Sequence, residues 1–233
     1  MKKRPRLASS AADVIAACQI IDGKGLIEAY GHVSVRIPGT DRVLITPRGA
    51  IGLIDARALL VIDLHGRVVR GRGTPPLELP MHTTVYRRRP AVQALVRTHS
   101  PAALAWGILC RPLRPVHGHG SFLGADVPVF PKVDLIATEA LGEELADTLG
   151  SAEAVLLRGN GTLVTGAALH EACVKAIWLE ESAKIQCQAA AVGPPVIMTA
   201  DEVRERIDVP YDHYRRAWSF YRTRFARAAR RRR

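Results

Sequence analysis

The stretch "ALVRTHSPAALA" (residues 94–105) decides how this chain is read. Its first half is a run of small and branched apolar residues, the composition of a buried strand. Ser100-Pro101 then breaks the extended chain, and proline's fixed φ suits the first turn of a helix. A strand through "AVQALVRTHS" (91–100) and a helix over "AALAWGIL" (102–109) are therefore expected. His99 sits at the junction. Side chains alternate along a strand, so Arg97, two residues earlier, points to the same side. A histidine in such a place is either a metal ligand or a satisfied core or capping group, and the stretch alone leaves both open.

The neighbouring segments supply the rest of a mixed fold. Residues 9–27 carry Val14, Ile15, Cys18, Ile20 and Ile21 at helical spacing, with Ser9 and Ser10 as caps. "AYGHVSVRI" (29–37) alternates, with Val33, Val35 and Ile37 on one face and His32, Ser34 and Arg36 on the other. "RVLITP" (42–47) follows the turn "PGTD" and completes a hairpin. "ALLVIDLHGRVVRG" (58–71) reads as a second strand pair, and "AVLLRGNGTLVTG" (154–166) as a third. Helices are expected over 78–88, over Leu169–Val192 and through "HYRRAWSFYRTRF" (213–225). No repeat or linker interrupts this order. The expected organisation is one domain over 9–225, with a basic tail at 1–8 and an arginine-rich tail at 226–233.

The 233 residues carry a net charge of +11, but the charge is not spread evenly. Residues 1–7 hold four Lys/Arg and residues 214–233 hold nine Arg, with no acid in either stretch, so the remainder carries a net −2. A nucleic-acid partner is therefore not expected, and the tails are expected to be solvated and disordered. No apolar run reaches bilayer-spanning length, and Met1–Ala8 lacks a signal-peptide core. The four cysteines are scattered without a CxxC pair, which fits reduced thiols in a cytoplasmic protein.

Ionisable side chains gather in five glycine- or proline-bearing loops: Gly31-His32, Thr46–Gly49, Pro75–His82, Arg97–His119 and Arg158–Gly161. Such loops on a rigid scaffold are where sites are built. Glu78 and His82, four apart on a helix, face one side. The carboxylate is a candidate acid–base; otherwise it is a helix-start residue favoured by the dipole. In "PVHGHGSFLG" (115–124), His117 and His119 stand at alternate positions of an extended chain, a candidate metal pair lacking a defined third ligand.

Taken in order, "YGHVSVR" (30–36), "ITPRG" (45–49), "LELPMHTTVYRRRPAVQALVRTHSP" (77–101), "RPLRPVHGHGSFLGADVPVF" (111–130) and "LLRGNGTLVTGAALHEACVKAIWLEESAKIQ" (156–186) resemble the class II aldolase/adducin family. The resemblance implies an α/β fold of three layers, α/β/α, with a mainly antiparallel central sheet. It also implies a metal-dependent lyase, a homotetramer with sites between subunits, and a divalent ion (Zn, Mn or Fe) held by three histidines beside a catalytic glutamate. Glu78 matches that glutamate and His99 matches the second histidine. The first histidine is replaced by Arg97 and the third by Asn160. A guanidinium cannot ligate a metal, so His99 and Asn160 would need His119 and His117 to hold one.

The family's phosphate-holding positions read His32, Arg48-Gly49 and Pro76-Leu77, and proline and leucine offer no side-chain donor. The "GHVSVR" form resembles instead a branch acting on carboxylates, including hydroxylated phthalate decarboxylases. The expected function is a carbon–carbon lyase, a decarboxylase, on a small non-phosphorylated hydroxy-aromatic carboxylate. Arg97, Arg48, His32 and Ser34 would bind the substrate, and Glu78 would move the proton. Two alternatives remain at this point. One is an iron oxygenase, with Glu78 and two of His99, His117 and His119 as a facial triad. The other is a non-catalytic, adducin-like assembly module.

Overall fold

The computed structural model describes the backbone of residues 5–231 and the side chains of 11–225. Eight strands form one sheet: β1 (His32–Arg36), β2 (Arg42–Ile45), β3 (Leu60–Asp63), β4 (Val68–Arg70), β5 (Ala94–Thr98), β6 (Val129–Phe130), β7 (Ala154–Leu157) and β8 (Gly161–Gly166). Their order is β4-β3-β2-β1-β5-β8-β7-β6. Every pairing is antiparallel except β6 with β7. The three expected hairpins are present, and the "ALVRT" strand lies at the centre.

Seven α-helices and three short 3-10 turns accompany the sheet among the described residues; the α-helices are α1 (Pro5–Gly23), α2 (Leu79–Arg88), α3 (Pro101–Gly107), α4 (Glu139–Leu149), α5 (Leu169–Val192), α6 (Ala200–Ile207) and α7 (His213–Arg231). Alternation along the strands divides the core in two. Val33, Val96, Leu156 and Val164 pack with Ile20 and Ile21 of α1 and Ala172 and Ile177 of α5. Ile45, Leu95, Leu157 and Leu163 pack with Met81 and Val85 of α2 and Leu145 of α4. Each Val, Leu, Ile or Met side chain among them, fully withdrawn from water, contributes roughly 1.5–3 kcal/mol. Among the described residues no helix is long and apolar enough to cross a membrane.

Two end assignments change. Helix α1 begins at Pro5, so Ser9 and Ser10 lie inside it and are not its caps; it stops at Gly23, short of residue 27. Helix α7 runs to Arg231, so residues 226–231 of the expected disordered tail have a helical backbone. Residues 1–4 and 232–233 of the two expected tails lie outside the described residues.

Register brings the site together. β1 pairs with β5 so that His32 stands opposite Arg97. β5 pairs with β8 so that Thr98 stands opposite Thr162, which carries the β7–β8 turn to the same end of the sheet. That turn depends on Gly161, at φ +98°. A Cβ there would come within 2.0 Å of the Thr98 carbonyl oxygen, against backbone that cannot step aside. Gly161→Ala is accordingly expected to destabilise the protein by about 2–3 kcal/mol, read as a lower urea midpoint. An unchanged midpoint would mean the turn tolerates rearrangement.

Candidate active site

At this end of the sheet a cavity of about 170 Å³ opens between Tyr30, His32, Arg48, Glu78, Arg97, His99 and Asn160, with Pro76, Leu77 and Leu135 as apolar wall. Arg97 forms its floor and is 0% exposed; Glu78 is 5% exposed. One Arg97 amino group, Nη2, donates to Asn160 Oδ1 at 2.8 Å and lies 3.0 Å from Glu78 Oε2. Asn160 Nδ2 donates in turn to Glu78 Oε1 at 3.1 Å, closing a three-membered ring of partners. The other amino group, Nη1, reaches the Thr98 carbonyl at 3.3 Å and lies against both ring nitrogens of His99, 2.6 Å from Nδ1 and 2.5 Å from Nε2. His99 Nδ1 lies 3.3 Å from the Tyr30 carbonyl. Arg97 Nε is buried without a partner among the described residues.

The local sequence explains each placement. Glu78 directly precedes helix α2, with Pro80 in the first turn fixing where the helix begins. Its side chain makes no cap hydrogen bond and turns into the cavity, while its place at the N-cap of α2 also puts the carboxylate at the favourable end of the helix dipole, so the two readings hold together. Buried charges persist only when paired and hydrogen-bonded, and the Arg97–Glu78–Asn160 ring satisfies both conditions.

The imidazoles here are neutral. Burial, then the Arg97 charge, holds His99 below its usual range. Burial, followed by His82 and Arg97, holds His32 well below it. His82, fully enclosed behind His32 at a ring separation of 5.5 Å, is lowered by burial and Arg97 to about 3. Its Nδ1 is 2.8 Å from Ser34 Oγ, which is itself 2.8 Å from the Tyr86 hydroxyl.

This burial has a pH consequence. Between pH 6.5 and about 3 the unfolded chain protonates His82 and the folded chain does not. Stability is thus fully present above 6.5 and is lost as pH falls, by up to about 1.4 kcal/mol per unit for this residue. Urea midpoints at pH 7 and pH 5 should fall less in His82→Gln than in the parent. Equal losses would place the acid sensitivity elsewhere.

Of the residues singled out from sequence, Glu78, Arg97, His99, Asn160, His32 and Arg48 meet at the cavity. Ser34 does not: it is fully buried in the His82–Tyr86 chain, so a substrate-binding role is corrected to support of His82. His117 and His119 do not line this cavity either. The chain bends there into a 3-10 turn at Gly120–Leu123 and is not extended. His117 Nε2 lies 2.9 Å from Ser182 Oγ; His119 stacks on Trp178 at 4.7 Å and faces Glu181 at 3.2 Å. Tyr30, Leu135 and the Thr98 carbonyl join them; Tyr30 and Thr98 lie in motifs that point to the site, and Leu135 lies in none.

A central antiparallel sheet with a glutamate, histidine and asparagine converging at one end defines an α/β protein with a buried polar site. Residues 12–187 match the profile described as "Class II Aldolase and Adducin N-terminal domain". The chain belongs to the class II aldolase and adducin family. It is 30% identical over 205 residues to a 3,4-dihydroxyphthalate decarboxylase of Arthrobacter keyseri, covering 81% of this chain and 82% of that one. It is 31% identical over 181 residues to an L-fuculose phosphate aldolase of Methanococcus vannielii, covering 74% and 93%. An aldolase II superfamily protein from Pseudomonas syringae shares the fold at TM-score 0.87 and 22% identity, over 97% and 96% of the two chains.

The family implies a divalent metal, and the site can be tested for it. Among the described residues no three His, Cys, Asp or Glu side chains are grouped to hold an ion. The donors that do converge, His99, Asn160 and Glu78, already surround Arg97. A coordinating ion sits about 2.0–2.1 Å from an imidazole nitrogen, yet Nη1 stands 2.6 Å from His99 Nδ1 and 2.5 Å from Nε2. The residues present do not fit an ion beside that guanidinium.

Proposed function

We propose that this protein is a decarboxylase of small hydroxylated aromatic carboxylates, built on a three-layer α/β/α scaffold as a single domain. The observation that carries this reading is the cavity itself: a buried arginine–glutamate pair for a floor, apolar walls and a second arginine at the mouth. A cavity of about 150 Å³ holds one benzene ring, and this one measures about 170 Å³. Pro76 and Leu77 line it where a phosphate would need donors. Inside, Arg97 and Glu78 offset one another, so Arg48, exposed and without an ion-pair partner among the described residues, supplies the net positive charge. Arg97 has all its terminal N–H groups engaged, so the grip on the substrate carboxylate passes to Arg48, whose planar fork matches it.

The chemistry follows from that placement. Glu78 takes the proton of the ring hydroxyl, and Arg97 stabilises the resulting phenolate. Glu78 returns the proton to the ring carbon bearing the carboxylate, giving a dienone. The carbon–carbon bond then breaks, CO2 leaves, and its electron pair restores the aromatic ring. The phenolate oxygen finally takes a proton from water, so one proton is consumed per turnover. The neutral His32 and His99 orient the oxygens without adding charge.

Cytoplasmic residence and a homotetramer with sites between subunits belong to the same reading. Tyr30, Leu77 and Leu135 at the cavity rim are each more than half exposed, an apolar margin that a neighbouring subunit would cover.

The test is CO2 release from 3,4-dihydroxyphthalate under nitrogen. Release without oxygen is expected, with no cleavage of L-fuculose 1-phosphate; a strict need for oxygen would favour the oxygenase. Arg48→Gln is expected to raise KM by about tenfold with little change in kcat. An equal fall in kcat would place Arg48 at the reacting atoms instead.

A further inference from the structure

We infer that the Arg97 side chain is itself the cation of this site, standing where an ion would otherwise be held, so that turnover needs no resident divalent metal. Four donors of the kinds that bind cations converge on the guanidinium. They are His99 Nε2, Asn160 Oδ1, Glu78 Oε2 and the Thr98 carbonyl. Nη1 lies 2.6 Å from His99 Nδ1 and 2.5 Å from His99 Nε2, against both ring nitrogens. An ion on either nitrogen would lie directly against the guanidinium's positive charge.

Arg97 cannot step aside to admit one. Its backbone is paired on both sides, with His32 and with Leu163, and its side chain is wholly buried. Moving the guanidinium out would strand Glu78 in the interior, and leaving it in place would set a dication against a fixed positive charge in a poorly screened setting. The cation is therefore permanent and covalently attached.

The exchange deepens the decarboxylase reading, on which its chemical consequence rests. A guanidinium carries one charge spread over three nitrogens, so it polarises an oxygen more weakly than a dication does. That suffices for a phenol, which ionises near pH 10 as tyrosine does, and falls short for the much less acidic aliphatic alcohols of sugars. The substitution thus narrows the substrates to those that bring an acidic hydroxyl of their own.

Cobalt(II) is the probe, because its visible absorption reports imidazole coordination. The purified parent, dialysed against EDTA, should hold less than a tenth of an equivalent of metal, melt at an unchanged temperature and release CO2 at an unchanged rate. Arg97→His/Asn160→His should take up one equivalent of cobalt, develop visible bands and melt higher with the metal than without it. The inference is overturned if the parent carries stoichiometric metal whose removal stops CO2 release, or if its cobalt uptake disappears in His99→Ala. It is also overturned if the double variant folds and binds no cobalt. Uptake that survives His99→Ala lies outside the cavity and supports it. Should the double variant fail to fold, the parent measurements decide alone. A parent that neither binds cobalt nor releases CO2 would defeat the decarboxylase reading and leave the resident cation standing.

Discussion

Glu78→Gln is expected to slow CO2 release by about 10³-fold, with KM nearly unchanged. Glutamine keeps the shape and the Asn160 contact but can neither take the phenolic proton nor give it to the ring carbon. Both transfers pass through one group, so removing it affects two steps. Arg48 at the mouth is untouched, which is why binding should survive. The variant also leaves Arg97 without its counter-ion, so it is expected to melt lower and should be assayed well below its transition, with circular dichroism confirming the fold. Single-turnover measurement separates chemistry from release. A loss smaller than tenfold would show that another group, His99 or water, moves the proton.

Much of the fold was legible because its strands alternate and its turns carry glycine. "AYGHVSVRI", "RVLITP" and "AVLLRGNGTLVTG" each declare a face and a turn, and the sheet pairs them accordingly. One strand and two α-helices stand outside the expected elements. β6 is two residues long and has no period to detect. α4 did carry a signal, since Thr138 accepts from the Leu141 N–H and Gly150 ends the helix. α6 carried one too, a capping box between Thr199 and Glu202.

The site was legible as a set of residues but not as a set of bonds. Motif order brought together Glu78, Arg97, His99 and Asn160 from distant parts of the chain. Periodicity tells which side a residue takes, not which donors are already spent. Arg97 accordingly read as a free hook for a carboxylate, whereas its terminal N–H groups are engaged by Glu78, Asn160, His99 and Thr98. For the same reason Ser34 read as a pocket residue, although it shares a face with His32 and lies deeper, against His82 and Tyr86. The His117/His119 pair failed on a different ground. Alternation means one face only in extended chain, and glycine on both sides of His119 allowed a bend.

Arg97→Met is expected to cost about 3–5 kcal/mol of stability, the usual consequence of removing one partner of a buried ion pair. Methionine fills much of the volume with a flexible apolar chain, so the loss is mainly electrostatic: Glu78 is left buried with Asn160 as its remaining partner. Glutamate has an escape that arginine lacks, because it can bind a proton and become neutral. The Arg97→Met deficit should therefore shrink as pH is lowered and grow as it is raised, opposite in sign to the loss from His82. Glu78→Gln has no such relief, since the guanidinium stays charged at any usable pH. Removing both charges in Glu78→Gln/Arg97→Met should recover about 2–3 kcal/mol relative to Arg97→Met alone. Urea midpoints for the four proteins at two pH values measure all of this. If the two single losses simply add, Arg97 and Glu78 do not form a fixed pair, and neither the proton transfer nor the resident cation has the floor it requires.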